Sequence, residues 1–247
     1  MHATALQNAD RFFKTYLLEE ATVVDLGAQD VNGSLRSVCP YKYIGVDFVP
    51  GRGVDLVLDD PYTLPLDDES VDIVVSSSCF EHSEFFWLVF LEALRILKPH
   101  GLLYLNVPSN GDVHRFPVDC WRFYPDAARA LANWGRRSGY DCIPLESYTS
   151  NRGDSVFNDF VAIFVKDGQF ADRYPRRICD AFDDYRNGSN GKKPARATED
   201  QSTLLWTLRR AVIVMRDPDL RAQRLANVRK ALAGRRNKTS GEDTPKA

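Results

Sequence analysis

The stretch Val23-Val-Asp-Leu-Gly-Ala-Gln-Asp-Val-Asn-Gly33 constrains the fold of this chain more than any other. A short apolar strand reaches an acid and a glycine, then passes through small and polar residues to a second glycine. A strand that ends in Asp25-Leu-Gly27 can turn sharply and bring backbone amides close to a ligand. About 20 residues later a second strand, Tyr43-Ile-Gly-Val-Asp47, ends in an acid placed to accept hydrogen bonds from both hydroxyls of a ribose. Gln29 stands where the G-x-G-x-x-G pattern needs its second glycine. A dinucleotide pyrophosphate requires close backbone approach at that point, so Gln29 counts against NAD and FAD. A nucleoside without phosphates is not excluded in this way.

Further landmarks follow in order: Asp60 with Leu64-Pro65, the strand Asp72-Ile-Val-Val75, Glu81-His82, and Glu92-Ala-Leu-Arg-Ile-Leu-Lys-Pro-His-Gly101. With Asp25-Leu-Gly27 and Gly45-Val-Asp47 they resemble class I S-adenosylmethionine-dependent methyltransferases, in particular the type 11-like group, over roughly Thr22 to Val165. The resemblance implies an α/β, Rossmann-like fold: a seven-stranded, mostly parallel sheet with helices on both faces. It places the methyltransferase domain at 1–170, followed at 171–247 by a linker and a helical C-terminal extension. S-adenosylmethionine is the cofactor so implied. Its expected contacts are Asp25, Gly27, Ala28 and Gln29 on the first loop, Asp47 and Phe48 after the second strand, and Asp59 or Asp60 at the adenine. Ser77, Cys79 and His82 are expected after the fourth strand, His82 at the methionine end. Capping of a turn is the competing structural role for Asp59 and Asp60.

The second informative stretch is Pro108-Ser-Asn-Gly-Asp-Val-His-Arg-Phe-Pro-Val-Asp-Cys-Trp-Arg-Phe-Tyr-Pro125. Polar, aromatic and proline residues crowd here, directly after the fifth strand, as they do in substrate loops. The segment also looks like one found in methyltransferases of sugar and polysaccharide pathways. Methyl transfer to a hydroxyl oxygen needs in-line alignment and removal of a proton. A base near neutral pKa suits that step, which nominates His114, with Asp119 orienting it or acting in its place. Arg115 and Arg122 are candidates to hold an acidic or polyhydroxylated acceptor, and Trp121 and Tyr124 to stack on it. The alternative for the same residues is structural, with Trp121 locking the loop to the sheet and Asp119 paired to Arg122. No metal-type spacing occurs, so no metal ligand is assigned and a divalent metal cofactor is left open.

The leading expectation is therefore O-methylation of a small molecule or saccharide. The competing classes are N- or C-methylation of another acceptor, RNA included, and a non-catalytic module that binds the nucleoside. The chain lacks the Asn-Pro-Pro-Tyr type of segment used on base amino groups, which argues against a nucleic acid partner. Charge is uneven: 11 Lys/Arg face 4 Asp/Glu in residues 203–247, against 21 and 30 in the rest. Such a basic end could meet nucleic acid, anionic lipid or an acidic surface, although a solvated helix face explains it as simply.

The five cysteines are scattered without a C-x-x-C pair, which fits a reducing cytoplasm. No signal peptide and no apolar run long enough to span a bilayer are evident. Helices are expected at 5–19, from Ser34 to Pro40, at 85–97 and at 126–134, with strands at 22–26, 42–47, 54–58, 71–77, 102–107, 139–146 and 158–165. A turn is expected at Asn151-Arg-Gly-Asp154, and a mobile connection at 183–202. Helices at 203–216 and beyond Pro218 carry apolar stripes that would pack on the domain or make a homodimer.

Overall fold

The computed structural model describes residues 2–151, 157–189 and 222. All of these except Ala222 fall within the first of two compact units, Met1–Ala197. The expected turn at 151–154, apart from Asn151, and the expected C-terminal helices lie outside the described residues.

An N-terminal helix α1 (Ala3–Thr15) precedes strand β1 (Thr22–Leu26), then β2 (Lys42–Asp47), β3 (Leu56–Val57) and β4 (Val71–Ser77). Helix α2 (Phe86–Ile96) runs directly into β5 (Leu97–Pro108), followed by α3 (Ala127–Arg137), β6 (Ile143–Ser150), β7 (Asp159–Val165) and β8 (Tyr185–Ser189). The strands form one sheet in the order β3-β2-β1-β4-β5-β7-β6-β8. From β3 to β5 all neighbours are parallel, while β7 is antiparallel to β5 and β6, and β6 to β8. The chain winds outward from β1 to β3 and then returns to β4 on the other side of β1. Ligands of open α/β sheets bind beyond the carboxyl ends of strands at such a reversal.

Alternation along the central strands makes two cores. Val24, Val74, Leu103, Leu105 and Phe164 point to one face, where α2 and α3 supply Phe90, Leu94, Leu131 and Ala132. Val23, Ile73, Val75, Tyr104 and Ile163 point to the other, where α1 supplies Phe12 and Phe13 and the segment after β7 supplies Tyr174 and Ile178. A buried amide bond joins α1 to the middle of the sheet, Asn8 Nδ2 donating to Asn106 Oδ1 at 3.1 Å.

The sequence reading is accurate for α2, α3 and the central strands, and less so elsewhere. The helix expected from Ser34 is one 3-10 turn, Leu35–Ser37, because Cys39-Pro40 follows too closely for a full helix. Strand β3 is only two residues long, and α1 ends at Thr15, leaving Leu17 exposed. His100, expected in a turn, lies within β5, which starts as soon as α2 ends. An eighth strand joins the seven expected. Its sequence, Tyr185-Arg-Asn-Gly-Ser189, has no apolar alternation that would reveal it. No helix among the described residues is long and apolar enough to cross a membrane.

Glu146, buried on β6, ties three parts of the unit together. Its carboxylate accepts from the Tyr16 hydroxyl at 2.6 Å and from the amides of Ile178 and Cys179 at 2.7 and 3.0 Å. Tyr16→Phe removes one donor from a buried carboxylate and should cost about 1–3 kcal/mol of stability. An unchanged urea midpoint would show that water replaces the hydroxyl without loss.

Candidate functional site

The carboxyl ends of β1, β2 and β4 meet at the reversal, and glycines set how closely they approach. Gly27 has φ +82°, and a Cβ there would lie 2.6 Å from the Cβ of Cys79. The β1 loop can therefore lie directly on the turn after β4. The sequence suggests that the loop amides meet a ligand, but the structure uses them internally. The amides of Gly27 and Ala28 both donate to the Val46 carbonyl, Gln29 N to Asp47 Oδ2 at 3.1 Å, and Asp30 N to the Arg52 carbonyl. Asp47 Oδ1 accepts Val49 N at 3.1 Å, so the carboxylate is fixed at the end of β2 while each oxygen keeps a lone pair for a further donor.

Asp25 is buried on β1 and takes a hydrogen bond from the Tyr43 hydroxyl. Burial pushes its carboxyl up to about 7, against the lowering effect of that bond. Asp60 adopts the capping role, accepting from Tyr62 N at 3.0 Å and from the Thr63 hydroxyl at 2.9 Å, with Asp59 exposed beside it. Phe48 is exposed on the rim. Ser77 is buried and accepts from Asn106 Nδ2 at 3.4 Å. Burial raises the pKa of the Cys79 thiol, which makes it a poor nucleophile.

The loop between β5 and α3 docks on the 3-10 turn Phe80–His82 that follows β4. The Glu81 carbonyl accepts from Cys120 N at 2.7 Å and from Trp121 N at 3.2 Å. The His82 Nδ1 bonds to the Val118 carbonyl, and the Trp121 indole donates to the Ser83 carbonyl at 2.9 Å. Phe123 is buried against Phe86, while Trp121 packs edge-on against Phe86 and Trp87 and keeps part of its surface exposed. Arg115 and Tyr124 are exposed.

Inside the loop, Arg122 forms a bidentate pair with Asp119 at 2.6 and 2.7 Å and also donates to the Asp112 and Trp121 carbonyls. The structural alternative for this pair is thus the arrangement present, and it uses most of the donors of Arg122. The guanidinium and the His114 amide hold the Asp119 carboxyl down at about 2. His114 Nδ1 lies 3.4 Å from Asp119 Oδ2 and 3.4 Å from the Arg122 guanidinium. The His114 ring sits 4.9 Å from that of His82 and 4.8 Å from that of Phe157.

Sequence reasoning did not assign Glu81. Its side chain is fully buried, and neither carboxylate oxygen has a hydrogen-bond partner outside its own residue. His82 Nε2 is 3.7 Å from Glu81 Oε1, and one donor atom from each of Glu81, His82 and His114 lies within 4.8 Å of the others. Burial pushes the Glu81 carboxyl up to about 8, and lowers the pKa of His82. The Glu81-His82 dipeptide was the available signal, but only its histidine was assigned. His2 and Asp159 were also missed. They pair at 3.0 Å across 157 residues, beyond the reach of any local pattern.

Two pH responses follow. The pKa of Asp119 is depressed by folding, so its contribution to stability is present above the unfolded value near 4 and fades as pH falls towards about 2. Asp119→Asn should flatten that acid limb in urea titrations, and an unaltered limb would remove Asp119 as its source. Glu81 is raised by folding, so it penalises the folded state increasingly from about pH 4 up to about 8. Glu81→Gln should gain stability relative to the parent chain at pH 8 but not at pH 4; equal effects at both would show that the buried charge is relieved in another way.

Comparisons with known proteins agree with this architecture. Residues 11–105 match the family described as "Methyltransferase domain". An uncharacterized methyltransferase of Mycobacterium bovis is 33% identical over 131 residues, 47% of each chain. A phthiotriol/phenolphthiotriol dimycocerosates methyltransferase of Mycobacterium tuberculosis is 30% identical over 125 residues, 40% of this chain and 45% of its own. The chain thus spans about half the length of the curated relatives it matches. Among solved structures, the Burkholderia thailandensis 1,6-didemethyltoxoflavin-N1-methyltransferase, crystallised with its acceptor and S-adenosylhomocysteine, superposes with a TM-score of 0.51 at 16% identity. That match covers 66% of this chain and 78% of the other, and it bears on the fold alone. Sheet order and the reversal at β1 agree with the fold of that structure, and residues 11–105 are similar to the methyltransferase-domain family.

Proposed function

We propose that this domain moves the methyl group of S-adenosylmethionine onto a hydroxyl oxygen of a small polyhydroxylated acceptor such as a saccharide, with His114 taking the proton. The observation that carries this reading is the position of His114 at the carboxyl edge of the sheet, its Nδ1 facing Asp119 and its side chain 37% exposed. Nδ1 lies between Asp119 Oδ2 and the Arg122 guanidinium, each at 3.4 Å; in the tautomer that gives its proton to the carboxylate, the Nε2 lone pair is left to act as base. Arg122 holds Asp119 ionised and in place and also approaches His114 Nδ1 directly at 3.4 Å.

The residues at the reversal fit the cofactor. Gly27 leaves the β1 loop room to lie flat on Cys79, and the fixed Asp47 carboxylate keeps capacity to accept ribose hydroxyls. When bound, the cofactor supplies an electrophilic methyl carbon on a sulfonium; the Asp59–Asp60 turn would hold its adenine, and Ser77, Cys79 and His82 its methionine end. Trp121 and Tyr124 offer exposed aromatic faces to a sugar ring, and Arg115 a charge. The boundary expected at 170 falls inside the packed unit, because Tyr174, Ile178 and β8 belong to it; the unit we propose works in the cytoplasm, where the five unpaired thiols would stay reduced.

His114→Ala should lower turnover about 10²–10⁴-fold while leaving calorimetric affinity for S-adenosylhomocysteine intact. Unchanged turnover would sink the assignment. Asp47→Ala should weaken that affinity about ten- to a hundredfold, and undiminished binding would take Asp47 out of the cofactor site.

A further inference from the structure

We propose that Glu81, His82 and His114 form a binding site for one divalent transition metal ion of the zinc type. Three observations lead there, none of which depends on the acceptor. First, the donor set is two imidazoles and a carboxylate, which suits zinc and its transition-metal neighbours more than the oxygen-seeking Mg²⁺ or Ca²⁺. Second, the Glu81 carboxylate is fully buried and lacks a hydrogen-bond partner outside its own residue. A buried acid left in that state is costly, and a cation beside it would offset the cost. Arg122, the cation that bears on it electrostatically, is already bidentate on Asp119.

Third, each histidine has an outer partner of the type that orients metal ligands. His82 Nδ1 is bonded to the Val118 carbonyl, which fixes the tautomer with a lone pair on Nε2, the nitrogen 3.7 Å from Glu81 Oε1. His114 Nδ1 lies 3.4 Å from Asp119 Oδ2, near enough for a small ring rotation to make the carboxylate–histidine pairing common at metal centres, and 3.4 Å from the Arg122 guanidinium. The donor atoms lie within 4.8 Å of one another. Bonds of about 2 Å allow two ligands to stand at most about 4 Å apart, so the donors must draw in by about an ångström. His114 lies on a loop and is partly open to solvent, which permits this movement and gives the ion access. Three protein ligands would leave at least one position open.

A metal and a proton compete for the same lone pair on His114, so a loaded site would remove that residue as a base. Metal binding is therefore tested without turnover. The full chain is titrated calorimetrically with zinc sulfate, and with Co²⁺ followed by visible absorption. One ion per chain is expected, with a cobalt spectrum lacking thiolate charge transfer.

Glu81→Gln, close in shape to the parent residue, should weaken binding by more than the about 10–100-fold typical of losing an outer partner, and Asp119→Asn by an amount within that range. Circular dichroism confirms folding of each variant. Absence of saturable binding, a thiolate band, or an affinity unaltered by Glu81→Gln would each overturn the site. Silent metal titrations alongside His114-dependent turnover would overturn this inference and leave the methyl-transfer reading standing; metal binding without methyl transfer would do the reverse.

Discussion

Strands β4, β5 and β7 are buried on both faces, and the rest of the structure follows from that requirement. A strand covered from both sides needs apolar residues at successive positions and helices above and below it. Val71–Ser77 and Asp159–Val165 meet the first condition almost without interruption, and α1, α2 and α3 meet the second. Polar chemistry is thereby displaced to the carboxyl ends, where the strands run out and loops begin. Asp47, Glu81 and His114 stand at or beyond such ends, and Asp159, at the start of antiparallel β7, lies beside the end of β5, although they are far apart in sequence.

The loop after β5 shows how an irregular segment is held without secondary structure. Its backbone amides bond to the Glu81 carbonyl, its indole to Ser83, and its one internal ion pair closes Arg122 on Asp119. These contacts place His114 above an acid that has been stripped of water. In the scheme proposed, the side chain of Glu81 and its carbonyl divide the work: the carbonyl anchors the loop, and the carboxylate supplies unmet charge.

What could be read in the sequence was whatever repeats locally. Apolar runs gave the central strands, and Asp25-Leu-Gly27 with Asp47 marked the reversal of the sheet. The role of Asp60 was legible only as a choice between two, of which the capping contacts are the ones the turn makes. Neither the orphaned carboxylate of Glu81 nor the meeting of His82 with His114 could be read, because both depend on how a loop some 35 residues away folds back. Strand β8 was hidden for a different reason. At the sheet edge it needs few apolar side chains, since backbone pairing with β6 does the recruiting.

Glu146 has a consequence for where this protein can be cut. Tyr16 before β1 and Ile178 after β7 share one carboxylate, which couples the opening of α1 to that of the segment past β7. Ending the chain at 170 would remove two of the three donors to that carboxylate and strip the core of Tyr174 and Ile178. The smallest piece that folds cooperatively therefore extends past β7, at least through Ile178 and Cys179. In an evolutionary comparison, insertions would be tolerated between β7 and Tyr174 more readily than a truncation at the same point.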